Sequence, residues 1–100
     1  MNKKQAYISL LKEAIPYIRK EFGVKQLMLF GSVARNEDKE DSDIDIFVDM
    51  PPKAFKFVEL QYFLQELLGN AVDLVRNHSH LDPFLSNEIK RDGIAIILNE

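Results

Sequence analysis

The sequence predicts a single α/β (α+β) domain, a small mixed β-sheet packed with helices, and three observations predict it. Apolar residues recur at helical spacing over 3–22, 54–68 and 82–91. Short apolar runs bounded by turn residues lie at 25–30, 43–50, 71–75 and 94–98. Helical and extended segments alternate without a repeat or a low-complexity stretch, the order that builds a sheet covered by helices. One hundred residues suffice for one real core and not for two, so the expected domain spans 1–100.

Residues 3–22 place Tyr7, Leu11, Ala14 or Ile15, Ile18 and Phe22 on one face, with Lys3, Lys4, Lys12, Glu13, Arg19, Lys20 and Glu21 mostly elsewhere. Pro16 removes an N–H and clashes with the preceding turn, which predicts a kink or a second helix starting near it. Gly23 supplies the stop. The run 25–30 is a strand feeding Gly31-Ser32, a turn, and Val33-Ala34-Arg35 suits one helical turn after it. Residues 36–42 contain no apolar side chain and predict an exposed loop. The second strand, 43–50, closes at Pro51-Pro52, which cannot continue a central ladder.

The helix 54–68 ends at Gly69 and carries Phe55, Phe57, Val58, Leu60, Tyr62, Phe63, Leu64, Leu67 and Leu68, more than one stripe can hold. Either both sides are buried or part of this surface awaits another chain. A third strand follows at 71–75 with Asp73 inside it, and 77–80 is a turn. Helix 82–91 has Asp82 as N-cap and Pro83 at the first helical position. Asp92-Gly93 turns into the last strand. The segment 51–69 crosses between the second and third strands.

Composition narrows the function classes. Thirteen basic against sixteen acidic residues give a net charge of −3, with no sequence-wide attraction to nucleic acid or to an anionic membrane. Without cysteine there is no disulfide framework, thiolate metal site or Cys nucleophile. No apolar run approaches membrane-spanning length, and the amino-terminal segment is amphipathic, so a cytoplasmic location is the default expectation.

The chemistry concentrates in L-F-G-S-V-A-R, seven mostly polar residues, then D-I-D-I-F-V. On a strand, Asp43 and Asp45 share one face while Ile44, Ile46 and Val48 share the other. Two like charges side by side repel and gain the fold nothing, which marks a functional site. Gly31 lets backbone approach a phosphate, Ser32 offers a hydroxyl, and a helix start would aim free N–H groups at an anion. Asp43 and Asp45, about 6–7 Å apart along the strand, can converge on Mg²⁺, with Asp73 completing a three-carboxylate set. Two such ions would stabilise the attacking and leaving oxygens of an in-line displacement. Asp73 also suits acceptance of a proton from an attacking hydroxyl. Arg35 divides evenly between touching phosphate and pairing with a carboxylate that shapes the loop. Asp38, Glu40 and Asp41 read as a solvated loop, Asp49 as a strand-end charge, and His78 and His80 as turn residues.

Taken together, G-S-x-A-R, the spacing to S-D-I-D and a strand acid 28 residues later resemble the signature of the minimal nucleotidyltransferase family within the DNA polymerase β-like superfamily. Gly31, Ser32, Ala34, Arg35, Ser42, Asp43 and Asp45 match it, Asp73 takes the third acid's place, and I-K-R-D-G-I resembles the family's I-x-x-[ED]-G. Asn36 stands where Gly is common, which bears on loop geometry. The resemblance implies that Ser32 contacts nucleotide phosphates and that Asp43, Asp45 and Asp73 bind Mg²⁺. It further implies an antitoxin that transfers AMP from ATP to a tyrosine of a HEPN-type ribonuclease.

Two readings follow. One is Mg²⁺-dependent adenylyl transfer to a protein hydroxyl, with Gly31, Ser32 and Arg35 holding the nucleotide. The other is a non-catalytic antitoxin that covers its HEPN partner, for which the aromatics of 54–68 would give a docking face and a homo- or hetero-oligomer would be natural. All three acids are present, which favours the enzyme. Transfer to a small molecule or an RNA end is disfavoured by the absence of a substrate domain and by the negative charge.

Overall fold

A computed structural model describes residues 2–98, so the outermost residues of the expected domain, Met1, Asn99 and Glu100, lie outside the described chain. The elements run α1 (Lys3–Glu13), α2 (Ile15–Phe22), β1 (Gln26–Phe30), α3 (Gly31–Ala34), β2 (Ile44–Asp49), α4 (Ala54–Leu68), β3 (Val72–Arg76), α5 (Pro83–Asp92) and β4 (Ile94–Ile97). Pro16 produces a second helix and not a kink: Ala14 ends α1, and the proline sits in the first turn of α2, where its missing donor is harmless. Gly23 and Gly69 stop α2 and α4 in the left-handed conformation, φ 66° and 70°. Asp82 caps α5 by accepting from the Phe84 N–H at 2.9 Å.

The four strands form one mixed sheet in the order β3-β2-β1-β4. β1 is antiparallel to both β2 and β4, while β2 and β3 are parallel and joined by the α4 crossover. One face presents Leu27, Leu29, Ile44, Ile46, Val48, Val72 and Leu74 to α1, α2 and α4, where Leu11, Ile18, Leu60 and Leu64 complete the main core. The opposite face carries a smaller cluster, Phe30, Phe47 and Ile89, supported by Met28, Val75, Leu81 and Leu85 beneath α5. Asp45 and Asp73 lie on that second face, which α5 covers only in part.

The surplus of apolar groups on α4 resolves into two stripes. Leu60, Leu64 and Leu68 are buried, and Phe57, Phe63 and Leu67 pack on the core's margin. Phe55, Val58 and Tyr62, at i, i+3 and i+7, remain exposed at 86%, 47% and 65%. Thus part of the helix is core and part is unpartnered. No helix among the described residues is long and apolar enough to cross a membrane.

Asn36 has φ 59°, the one non-glycine residue with positive φ among those described. The family's usual glycine is therefore a conformational requirement, and Asn is the side-chain-bearing residue that meets it with least strain. Asn36→Gly should leave urea stability within a few tenths of a kcal/mol, whereas Asn36→Val should cost about 1–2 kcal/mol.

Candidate active site

Strand pairing builds the site. In the parallel β2/β3 ladder Asp45 stands directly beside Asp73, and in the antiparallel β1/β2 ladder it stands opposite Phe30, the last residue before Gly31. Side chains in register on neighbouring strands share a face, so the carboxylates of Asp45 and Asp73 are neighbours at the end where β1 turns into α3. Asp43 falls one residue before β2 and not inside it as the alternation predicts. The ladder begins with the Ile44 N–H donating to Ala71 O at 2.9 Å, which leaves Asp43 exposed at the sheet's mouth.

The electrostatics mark Asp45. Burial first, and then the negative charges of Asp73, Glu88 and Asp43, push its carboxyl up to about 6 against a partial opposing pull from Arg35. Asp45 is half-buried, whereas Asp73 and Asp43 are exposed. Among the described residues no three acids already stand close enough to close on an ion. The side chains thus form a mutually repelling cluster short of a finished coordination shell. Its donors are all carboxylate oxygens, the hard ligand set that Mg²⁺ takes.

Gly31 completes this end of the sheet. Its φ is 74°, and a Cβ there would overlap Asp45 Oδ2 and lie 2.9 Å from Asp45 Cγ. Only glycine lets the start of α3 approach the carboxylate so closely. Ser32 follows in α3, and its carbonyl accepts from the Glu37 N–H at 2.8 Å. Ser42 Oγ accepts from the Lys39 N–H at 2.9 Å, closing the turn that delivers Asp43.

Arg35 Nε donates to Glu37 Oε2 at 3.0 Å and Nη1 to Asp92 Oδ2 at 3.2 Å. The carboxylate pairing that the sequence allowed for Arg35 is present, with Glu37 and Asp92 as its partners. Glu88 was not legible as part of the site. It lies on α5 one turn before Asp92, and the available signal was the i, i+4 pair of acids on one helix face. His78 and Asp49 take no part in the cluster, and neither does the 38–41 loop.

Residues 11–96 match the nucleotidyltransferase domain model. A provisionally named protein adenylyltransferase of Methanocaldococcus jannaschii is 38% identical over 89 residues, covering 87% of this chain and 91% of that protein. The protein adenylyltransferase MntA of Thermococcus cleftensis is 50% identical over 64 residues, 62% of this chain and 65% of its own length. A crystal structure of a toxin–antitoxin with AMP-PNP superposes with a TM-score of 0.73 at 25% identity, covering 90% of this chain and 74% of that one.

The raised Asp45 carboxyl yields a stability prediction. The protonated form favours the fold below about pH 4, and that contribution is lost as pH rises toward 6, so the metal-free protein carries the cost of an ionised Asp45 at neutral pH. Asp45→Asn should stabilise the metal-free protein at pH 7.5 by on the order of 1–2 kcal/mol, the low end because solvent screens a half-buried charge. The gain should shrink to nothing by pH 4 in urea titrations. On its sequence and its sheet alike, the chain belongs to the nucleotidyltransferase domain family.

Proposed function

We propose that this chain is a Mg²⁺-dependent protein adenylyltransferase that transfers AMP from ATP to a tyrosine hydroxyl of a HEPN-type partner and so acts as its antitoxin in the cytoplasm. The observation that carries the reading is the register of Asp45 beside Asp73 against the Cβ-free start of α3. A carboxylate pushed up by burial and then by its acidic neighbours gains most when positive charge arrives. Relatives named as protein adenylyltransferases and a similar toxin–antitoxin structure with AMP-PNP support adenylyl transfer to a protein acceptor.

Asp43, Asp45 and Asp73 would hold the metal, probed as one ion or two. Bound there, Mg²⁺ supplies charge neutralisation at the triphosphate and at the attacking oxygen. Gly31 and Ser32 would cradle phosphate oxygens with backbone N–H groups and the serine hydroxyl. The acceptor's hydroxyl oxygen attacks the α-phosphorus, forming a phosphoester. The bond from that phosphorus to the oxygen bridging the β-phosphate breaks, and pyrophosphate leaves. Asp73, exposed at the sheet edge, takes the hydroxyl proton.

The exposed Phe55, Val58 and Tyr62 stripe favours a second reading, a binding module that neutralises its partner by covering it. Incubation with labelled ATP, Mg²⁺ and the HEPN-type product of a neighbouring gene separates the two. Transfer predicts label on a partner tyrosine, lowered at least about 10³-fold in Asp43→Asn/Asp45→Asn. Neutralisation by that variant, with no label in either sample, would favour the binding module.

A further inference from the structure

Arg35 sits immediately after α3, and its guanidinium joins segments far apart in sequence. Its Nη1 donates to Asp92 Oδ2 at 3.2 Å across 57 residues, and Glu88 Oε2 lies 3.9 Å from the same nitrogen. Its Nε is occupied by Glu37 at 3.0 Å. The Asp92 side chain is only 13% exposed and also accepts from Arg91 Nη2 at 2.9 Å. Three carboxylates around one guanidinium leave little net positive charge to offer a phosphate. Withdrawing Arg35 would also leave the partly exposed Asp92 carboxylate with Arg91 as its remaining cation.

The far end of this link is itself fixed. Asp92 closes α5 and precedes Gly93, where a Cβ would meet Ile89 O and lie 2.5 Å from Met28 Cε. Ile89 in turn packs with Phe30 and Phe47 on the sheet. α3 has four residues, too few to hold its place by its own hydrogen bonds. Val33 and Ala34, buried in the main core, hold its middle; Gly31 sets its entrance against Asp45, and Arg35 ties its exit to α5.

We infer that Arg35 is a positioning residue that acts through Asp92, clamping the exit of α3 to α5 so that the Gly31-Ser32 backbone keeps its place against Asp45. The assignment gives the two separated signature segments, G-S-V-A-R and I-K-R-D-G, a shared physical purpose. It rests on the adenylyl-transfer reading for its catalytic consequence, but the clamp has a readout of its own.

Arg35→Gln, Asp92→Asn, the double variant and Arg35→Lys test it. The first readout is amide exchange at Arg35, Asn36 and Glu37, whose N–H groups donate to Gly31 O, Val33 O and Ser32 O. Both neutral variants should speed exchange there by roughly 10-fold or more. The second is ATP-dependent labelling of the partner. Each neutral single variant should lose about 10-fold to 100-fold in kcat/KM, mostly in kcat, and the double variant should be no worse than the poorer single. Arg35→Lys should fall between, since an ammonium replaces the fork with one point of contact.

A KM for ATP raised only by Arg35 substitution, with Asp92→Asn like wild type in both readouts, would overturn the clamp in favour of a direct phosphate contact. Lower melting temperatures with unchanged kcat/KM well below the transition would overturn it in favour of a merely structural bridge. If the wild type labels no partner, the adenylyl-transfer reading fails, and the exchange comparison still decides the clamp.

Discussion

Everything at the site depends on the parallel pairing of β2 with β3 in one register. That ladder sets Asp45 beside Asp73, and a slip by one residue would carry Asp73 to the face of Leu74 and Ile46. The apolar side of the same strands enforces the register: Ile44, Ile46, Val48, Val72 and Leu74 are all buried beneath α4 and its neighbours. Core packing on one face thus holds like charges together on the other. Gln61 and Gln65 of α4 add to this by bonding the Val72 carbonyl and N–H at 3.0 and 3.1 Å, which fixes the first residue of the edge strand.

The cluster is a destabilising feature maintained by its surroundings. Asp45 is desolvated, faces three further acids and receives only partial relief from Arg35. A sequence selected for stability alone would place a neutral residue there. Such conflict between local energetics and placement is what a cation and a polyphosphate would resolve, and it separates this face from the self-satisfied core opposite. The α5 helix contributes on both counts, closing the small Phe30–Phe47–Ile89 cluster and bringing Glu88 and Asp92 toward the site.

Most of the fold was legible because its boundaries are local chemistry. Pro16, Gly23, Gly69 and the Asp82-Pro83 pair act within a turn of their own position, and each element begins or ends where they predict. Asp45, Asp73, Gly31 and Ser32 were legible through alternation and spacing, and the strand register brings them to one end of the sheet. The features that escaped are products of tertiary approach. The position of Asp43 outside β2 depends on where the ladder with Ala71 starts. Glu88 joins the cluster only because α5 folds back over the sheet, and no short-range pattern announces a partner for Arg35 at position 92. Asn36 was visible as a departure from a glycine, and the backbone supplies the reason.

The proposed divalent-cation site is Asp43, Asp45 and Asp73 set against Gly31. Paramagnetic broadening by Mn²⁺, titrated into isotope-labelled protein with AMP-PNP, tests it most directly. The amides of Ser32, Ile44, Asp45, Asp73 and Leu74 should broaden first, and Asp73→Asn should weaken the effect. Broadening confined to the 37–41 loop, or an Asp73→Asn protein indistinguishable from wild type, would contradict it.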